Sequence, residues 1–313
     1  MKLNRRVFMA RLSALGGVVG AWTGALSSLG SARSAFAQSE PSTTTTTLPA
    51  TASINVLRAP AWVERGGRNV ALRVGSKLAA GDKLSTGADA RALVRLPEGS
   101  VVALGANTEF VIDSMKHSSE ERSPFVAALR LATGTMRYVT ALAQKSNSAN
   151  RDVSVRTATA TIGVRGTRFW AQCVDEGETV CLFEGKVDIA RENEPLAVLD
   201  QPNAFWIAPY RKPAQPVGIA SPAQLASFGG QVSQLEGSGL TKPDGAFKLE
   251  TAAFSRNDAP LALRQLNRLG YPAELQGANI VLTHFASAAD AQAVADKLRR
   301  LYGIELNLAK AGG

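Results

Sequence analysis

Between about Ile54 and Ala208 the chain offers almost nothing with a helical period. It is built from short runs of β-branched and aliphatic residues separated by Gly, Asp and Asn. ALVRLPEGSVVAL is the clearest case: Leu93, Val94 and Leu96 lead into Pro97-Glu98-Gly99, which turns the chain, and Val101 and Val102 resume it. Strands at such short spacing bury their apolar residues against other strands, so residues 54–208 are expected to form an all-β domain, a sandwich or a β-helix-like stack.

The last segment has a different grammar. FKLETAAFS alternates and precedes a helical pattern with Ala262, Leu266 and Leu269 on one face, stopping at Gly270. NIVLTHFAS also alternates and precedes a second helix carrying Ala291, Val294, Leu298 and Leu301. Ser287 caps that helix, with Asp290 three residues on, and Gly303 closes it. PAEL and IELNL supply a strand after each helix, so residues 246–313 read as a small α+β βαββαβ domain, a four-stranded sheet with two helices on one face. The other sheet face stays open.

Between these domains, residues 209–245 are rich in Pro and Gly and read as a connector. Ser221-Pro222 starts a short amphipathic helix there, running through Leu225 and Phe228 to Val232 and Leu235. Residues 38–53, with the run Thr43–Thr47 between Pro41 and Pro49, have too little apolar surface for a core and read as a tether. Residues 1–37 have a basic start, a mildly apolar run and a small-x-small ending at Ala35, Phe36 and Ala37, which is the pattern of a secretory signal peptide. The pair Arg5-Arg6 followed by Val7, Phe8 and Met9 resembles the twin-arginine export signal.

Cleavage is expected after Ala37 and leaves no transmembrane anchor; the alternative is that Leu12–Leu29 stays as one. Cleavage removes Lys2, Arg5, Arg6, Arg11 and Arg33 and no acid, so the formal charge of +9 falls to +4. That is too little for a nucleic-acid footprint.

GDKLSTGADARALVRLPEGSVVALGANTEFVI, from Gly81 to Ile112, resembles the opening of the FecR domain. That pattern runs Gly-Asp-x-Leu-x-Thr-Gly, then Arg-Ala, Gly-Ser and Asn-Thr-x-Phe. LRLATGTMRYV, VSVRTATATIGVRGTRFWA and CLFEGKVDI continue the resemblance in order. Regulatory members of that family relay an outer-membrane signal through a membrane helix to a cytoplasmic anti-sigma segment. Here only about a dozen residues precede the apolar run, so the resemblance implies an exported interaction module.

The βαββαβ segment resembles a SPOR domain, a family that binds peptidoglycan glycan strands. That family reads Val-Gln-x-Gly-x-Phe in its first strand and Val-x-Val-Gly-x-Phe in its third. Leu249-Glu250-Thr251-Ala252-Ala253-Phe254 and Ile280-Val281-Leu282-Thr283-His284-Phe285 keep both Phe, replace Gln by Glu250 and lack both Gly. A carboxylate accepts hydrogen bonds but does not donate them as an amide does, which puts glycan contact in question. The face it would use carries Lys248, Glu250, Ala252, Val281 and Thr283; the two Phe imply a shift of register that alternation does not place.

TATIGVRGTRFW, Thr159–Trp170, admits three readings: a backbone-clamping Gly-x-x-Gly loop, an anion cradle, or a bent strand. Alternation puts Val153 and Val155 on one face and Ser154 and Arg156 on the other. It then puts Phe169, Ala171 and Cys173 opposite Arg168, Trp170 and Gln172. With strands on both sides, Gly163 and Gly166 read as bulge or bend positions, and Arg165 and Arg168 as candidate partner contacts.

Cys173 and Cys181 bracket Gly177 symmetrically, and a hairpin with an odd loop would oppose them as a disulfide. His117 and His284 are the only histidines and lie far apart in sequence, so neither a metal site nor a cofactor is expected, and no nucleophile elbow appears. The expected function is a non-enzymatic periplasmic binding or scaffold protein. Its partners would be an envelope protein and glycan strands, with no nucleic acid. The second reading is a periplasmic sensor or regulatory component of an envelope or iron-uptake signalling system.

Overall fold

A computed structural model describes residues 50–116, 125–141, 151–234, 237–251 and 259–311. The export pair Arg5 and Arg6, most of the tether, Ala252, Phe254, Leu235 and His117 lie outside the described residues. Those that are described belong to one unit, Thr46–Gly313.

The chain runs β1 (Ala52–Arg58), β2 (Ala61–Arg65), β3 (Arg68–Ala71), β4 (Lys77–Leu78), β5 (Lys83–Thr86), β6 (Arg91–Arg95), β7 (Val101–Leu104) and β8 (Glu109–Lys116). Three strands of 15 residues follow or flank β10 (Arg151–Arg156): β9 (Phe125–Val139), β11 (Ala160–Val174) and β12 (Gly177–Arg191). The β part closes with β13 (Ala197–Leu199), β14 (Ala204–Pro209) and β15 (Gly218–Ile219). β1 begins inside the stretch read as tether, because Ala52 is already fully buried.

The long strands belong to two layers at once. Their first layer runs β3-β2-β5-β8-β9-β10-β11-β12-β13, using residues 125–133 of β9, 160–165 of β11 and 186–191 of β12. Their second layer runs β4-β1-β6-β7-β9-β11-β12-β14-β15, using residues 134–139, 168–173 and 177–184. Inward residues of both layers, among them Leu84, Val94, Phe110, Ile162, Phe169 and Leu182, share one core. Only the β9–β10 ladder is parallel among the described pairings. A β-helix-like stack needs parallel coils, so the architecture is the sandwich.

The crossing between layers is local. The β11–β12 register shifts between Arg165 and Phe169, at Gly166, whose φ is +63°. Opposite it, Gly185 has a φ of +87°, and a Cβ there would lie 2.6 Å from the Gly166 carbonyl oxygen. Facing bends of this kind turn a continuous ladder through a corner.

The connector carries more structure than its composition signals. Helix α1 (Pro222–Val232) starts on a capping box of Ser221 and Gln224. Strand β16 (Leu240–Thr241) then pairs with β1 and with β19 (Asn279–Phe285), joining the β part to the C-terminal sheet. That sheet has the order β20 (Asn307–Lys310), β17 (Phe247–Glu250), β19, β18 (Glu274–Gln276), all antiparallel. With α2 (Ala259–Arg268) and α3 (Ala288–Tyr302) it completes the βαββαβ order. Leu249, Leu266, Ile280, Leu282, Phe285, Val294 and Leu298 build its core. The β17–β19 ladder shifts register: Phe247 opposes Phe285 while Leu249 opposes Leu282, and His284 beside the shift takes a φ of +69°; Phe254, the other Phe of the expected shift, lies outside the described residues.

Asp290 fixes the connector to this unit. The Ser287 hydroxyl donates to its carboxylate, which also accepts from the backbone N–H groups of Ser238, Gly239 and Leu240 at 2.8–3.1 Å. Trp62 of β2 donates through Nε1 to the Arg268 carbonyl, and Ala61 N–H to that of Gly270.

Candidate functional site

The bent strands present two outer faces with opposite chemistry. On the second layer, Leu93, Ala103, Arg137, Trp170, Cys181 and Phe205 form one row across six strands. Helix α1 packs Leu225, Phe228 and Val232 onto it. The Phe228 ring stacks on Trp170 with centroids 4.1 Å apart, a geometry that adds about 0.5–1.5 kcal/mol beyond area burial. Gln231 accepts from Gln172 and Thr135 beside the stack, so this face is closed.

On the first layer no helix among the described residues covers β10, β11 and β12. Ser154, Thr161 and Gly163 form a floor of small residues there, bounded by Asp152, Arg165, Asp188 and Leu196, in an open groove of about 820 Å³. Arg165 is exposed and sits 3.6 Å from the Asp188 carboxylate, which Lys186 also approaches at 3.8 Å. Exposed pairs of this sort contribute about 0–1 kcal/mol; they mark the groove rim with both signs of charge. Gly163 lies in an unshifted part of the ladder, and a Cβ there would meet nothing nearer than 3.8 Å. Gly166 is the bend; Gly163 is a gap in the side-chain cover.

The groove rests on a rigid base. Arg151, at its edge, donates to Glu98 and to the hydroxyls of Ser100 and Tyr138, and the Arg151 and Glu98 side chains are 4% and 1% exposed. Burial pushes the Tyr138 hydroxyl up to about 12, with the Arg151 charge pulling the other way. Glu178 is 1% exposed and accepts from Thr159 N–H at 2.8 Å and from the Thr157 hydroxyl at 2.7 Å. It thereby ties the β10–β11 turn to the neighbouring hairpin.

The face assignments around Thr159–Trp170 agree with alternation: Val153 and Val155 are buried, as are Phe169, Ala171 and Cys173. Arg165 and Arg168 do not converge. They lie on either side of the bend, Arg165 in the groove and Arg168 beside the closed row, opposite Val139. A two-arginine anion cradle is therefore not formed.

The disulfide expectation is corrected. Val174 pairs with Gly177 across the two-residue loop Asp175-Glu176, so Cys173 opposes Glu178 and Cys181 opposes Trp170. Period-two geometry then sends the thiols to opposite faces, Cys173 into the shared core and Cys181 under α1. Both are free. Gly177 serves a close approach, since a Cβ there would lie 2.5 Å from the Ala208 carbonyl oxygen. Burial pushes Cys173 up to about 12 and Cys181 to about 11, which leaves neither as a ready nucleophile.

On the C-terminal sheet, Lys248 and Glu250 form an ion pair at 2.9 Å. Val281 opposes Glu250 and is 1% exposed, and the Thr283 hydroxyl lies 2.7 Å from His284 Nδ1. Lys248 and Glu250 are thus paired with each other on this face. Among the described residues no group of three or more His, Cys, Asp or Glu could hold a metal ion, and no helix is long and apolar enough to cross a membrane.

Residues 82–188 match the family model described as FecR protein, a span that includes most of the groove and both bends. The chain is also similar to two crystal structures of a protein from Parabacteroides distasonis ATCC 8503 described as a putative anti-sigma factor. Identities are 18% and 16%, with TM-scores of 0.38 and 0.39; each match covers 74% of this chain and 99% of the other. No curated protein matches significantly.

Proposed function

We propose that this chain is a non-catalytic regulatory component of the bacterial cell envelope, exported to the periplasm, that docks an extended polypeptide segment of a partner protein in the groove over β10, β11 and β12. One observation carries the reading: the groove lies on the outer face that no helix among the described residues covers, and all its lining residues from Arg151 to Asp188 fall within the FecR-matched span. Small floor residues admit a backbone closely, and the Arg165–Asp188 rim suits a partner of mixed charge. Regulation rather than catalysis is also supported by the chemistry present, since the buried carboxylates Glu98, Glu178 and Asp290 are each engaged in hydrogen bonds that hold structure.

A photoreactive side chain placed at position 163 in cells tests this. The expected result is an adduct with one envelope protein that is absent when the same group is placed at exposed Val70 on β3. Equal labelling from both positions contradicts it. A second reading, wall attachment through glycan strands, is supported by the βαββαβ sheet order; co-sedimentation of the purified chain with stripped glycan strands at low salt tests it, and no sedimentation removes it.

A further inference from the structure

A second cavity lies where β1 meets the C-terminal unit. It holds about 290 Å³ and is lined by Arg58, Asp89, Tyr271, Val294 and Lys297. A narrow apolar recess of only about 20 Å³, bounded by Leu57, Leu282, Phe285 and Val294, shares Tyr271 and Val294 with it. A polar mouth over an apolar floor, near the lower end of the size range of small-molecule sites, is the usual form of a ligand cleft.

The charges at the mouth are unbalanced. Arg58 is 9% exposed, and its Nε donates to the Asp89 carbonyl oxygen. Its terminal nitrogens have no acceptor among the described residues. Desolvation lowers the Arg58 pKa, and the Asp89 carboxylate only partly opposes that. Lys297, on α3, stands 4.0 Å from the Asp89 carboxylate, which is 82% exposed and so well solvated. Arg91 adds a further positive charge close enough to act on Arg58. Asp290 does not compensate, because its carboxylate is taken up by the Ser238–Leu240 backbone and Ser287. A partly desolvated guanidinium faced only by the solvated Asp89 carboxylate is costly, and a planar fork of free N–H groups fits a carboxylate or phosphate oxygen pair.

We infer that this cleft binds a small organic oxyanion with a short apolar body, its charged head held by Arg58 and Lys297 and its body against Tyr271 and Val294. Such a ligand touches β1 and α3 together, so its occupancy fastens the C-terminal unit to the β part. Binding only the folded chain, it raises thermal stability by mass action.

The probes are 4-methylpentanoate, its uncharged analogue 4-methylpentanamide, and inorganic phosphate. Each is titrated into the purified chain by calorimetry at low salt, where screening is weakest, with melting curves in parallel. Saturable binding of an oxyanion with a raised Tm, at least tenfold weaker binding of the amide, and at least tenfold loss in Arg58→Gln are expected. Because Arg58 is buried, Lys297→Gln, on the helix surface, serves as the second variant and should weaken binding several-fold while the unliganded Tm stays unchanged. Phosphate binding with the same dependence on Lys297 also supports the site. No saturable binding of either oxyanion up to about 10 mM, equal binding of acid and amide, or full affinity in Lys297→Gln overturns the inference.

Discussion

The two outer faces of the bent strands are built from the same three segments, yet one is sealed and the other is bare. The difference lies in which residues alternate outward. Past the bends, β11 and β12 send out Trp170 and Phe183, with Phe205 beside them on β14, and α1 covers this surface with Phe228. Before the bends, the same strands send out Thr161, Gly163 and Asp188, and nothing among the described residues covers them. An outward aromatic row calls for a cover in the native fold; a small-residue floor with a charged rim can stay in water and remain available to a partner.

This contrast can be broken by substitution. Trp170→Ala should have the largest effect, about 3–5 kcal/mol of stability in denaturant titration, because it empties the closed face from beneath Phe228. A loss under 1 kcal/mol would mean that α1 is not a true cover. Gly185→Ala should cost about 1–3 kcal/mol, since φ is +87° and the Gly166 carbonyl blocks a Cβ. A neutral result there would deny that the facing bends define the two faces.

Acid should act on the open layer first. Burial pushes the Asp82 carboxyl up, but hydrogen bonds from Arg65 and from the Ala79 N–H outweigh it and leave the group below its ordinary value. A depressed carboxylate contributes stability that is present above the unfolded value of about 4 and is lost as pH falls through the folded one. Hydrogen exchange should therefore show the β2–β5–β8 ladder loosening below about pH 4 before the β11–β14 ladders do. Asp82→Asn should abolish that order.

The thiols offer a gentler probe. Neither Cys173 nor Cys181 should react with a thiol reagent in the native state, and oxidation should not link them. In Phe228→Ala, Cys181 should gain reactivity and Cys173 should not, because only Cys181 lies under α1. Gly163→Gln should have the smallest effect on the fold, within about 0.5 kcal/mol, as expected for a surface change into open space.

Much of this was legible in the sequence where a period or a cap carries it. Alternation grouped Val153 with Val155 and Phe169 with Ala171, faces that prove to be buried, and the capping signals at Ser221 and Ser287 are the observed helix starts. The hairpin between the cysteines was misread because Gly177 looked like a turn centre, while its use is to let β14 approach. The partner of Cys173 is Glu178, three positions short of Cys181, and that odd offset places Cys181 opposite Trp170, on the closed side. Strand β16 is two residues long and has no periodic signal, and the multiple roles of Asp290 and Glu178 depend on backbone groups distant in sequence. Whether a face is covered was partly readable, since Trp170, Phe183 and Phe205 all alternate outward.

The most direct test of the docking claim uses Gly163, where a side chain can fill the groove with nothing nearer its Cβ than 3.8 Å. A chromosomal Gly163→Trp variant should match the parent chain in abundance and Tm, yet lose the position-specific partner adduct and reproduce the transcript changes of a deletion strain. A Gly163→Trp strain with parental transcription and an intact partner complex would contradict the account.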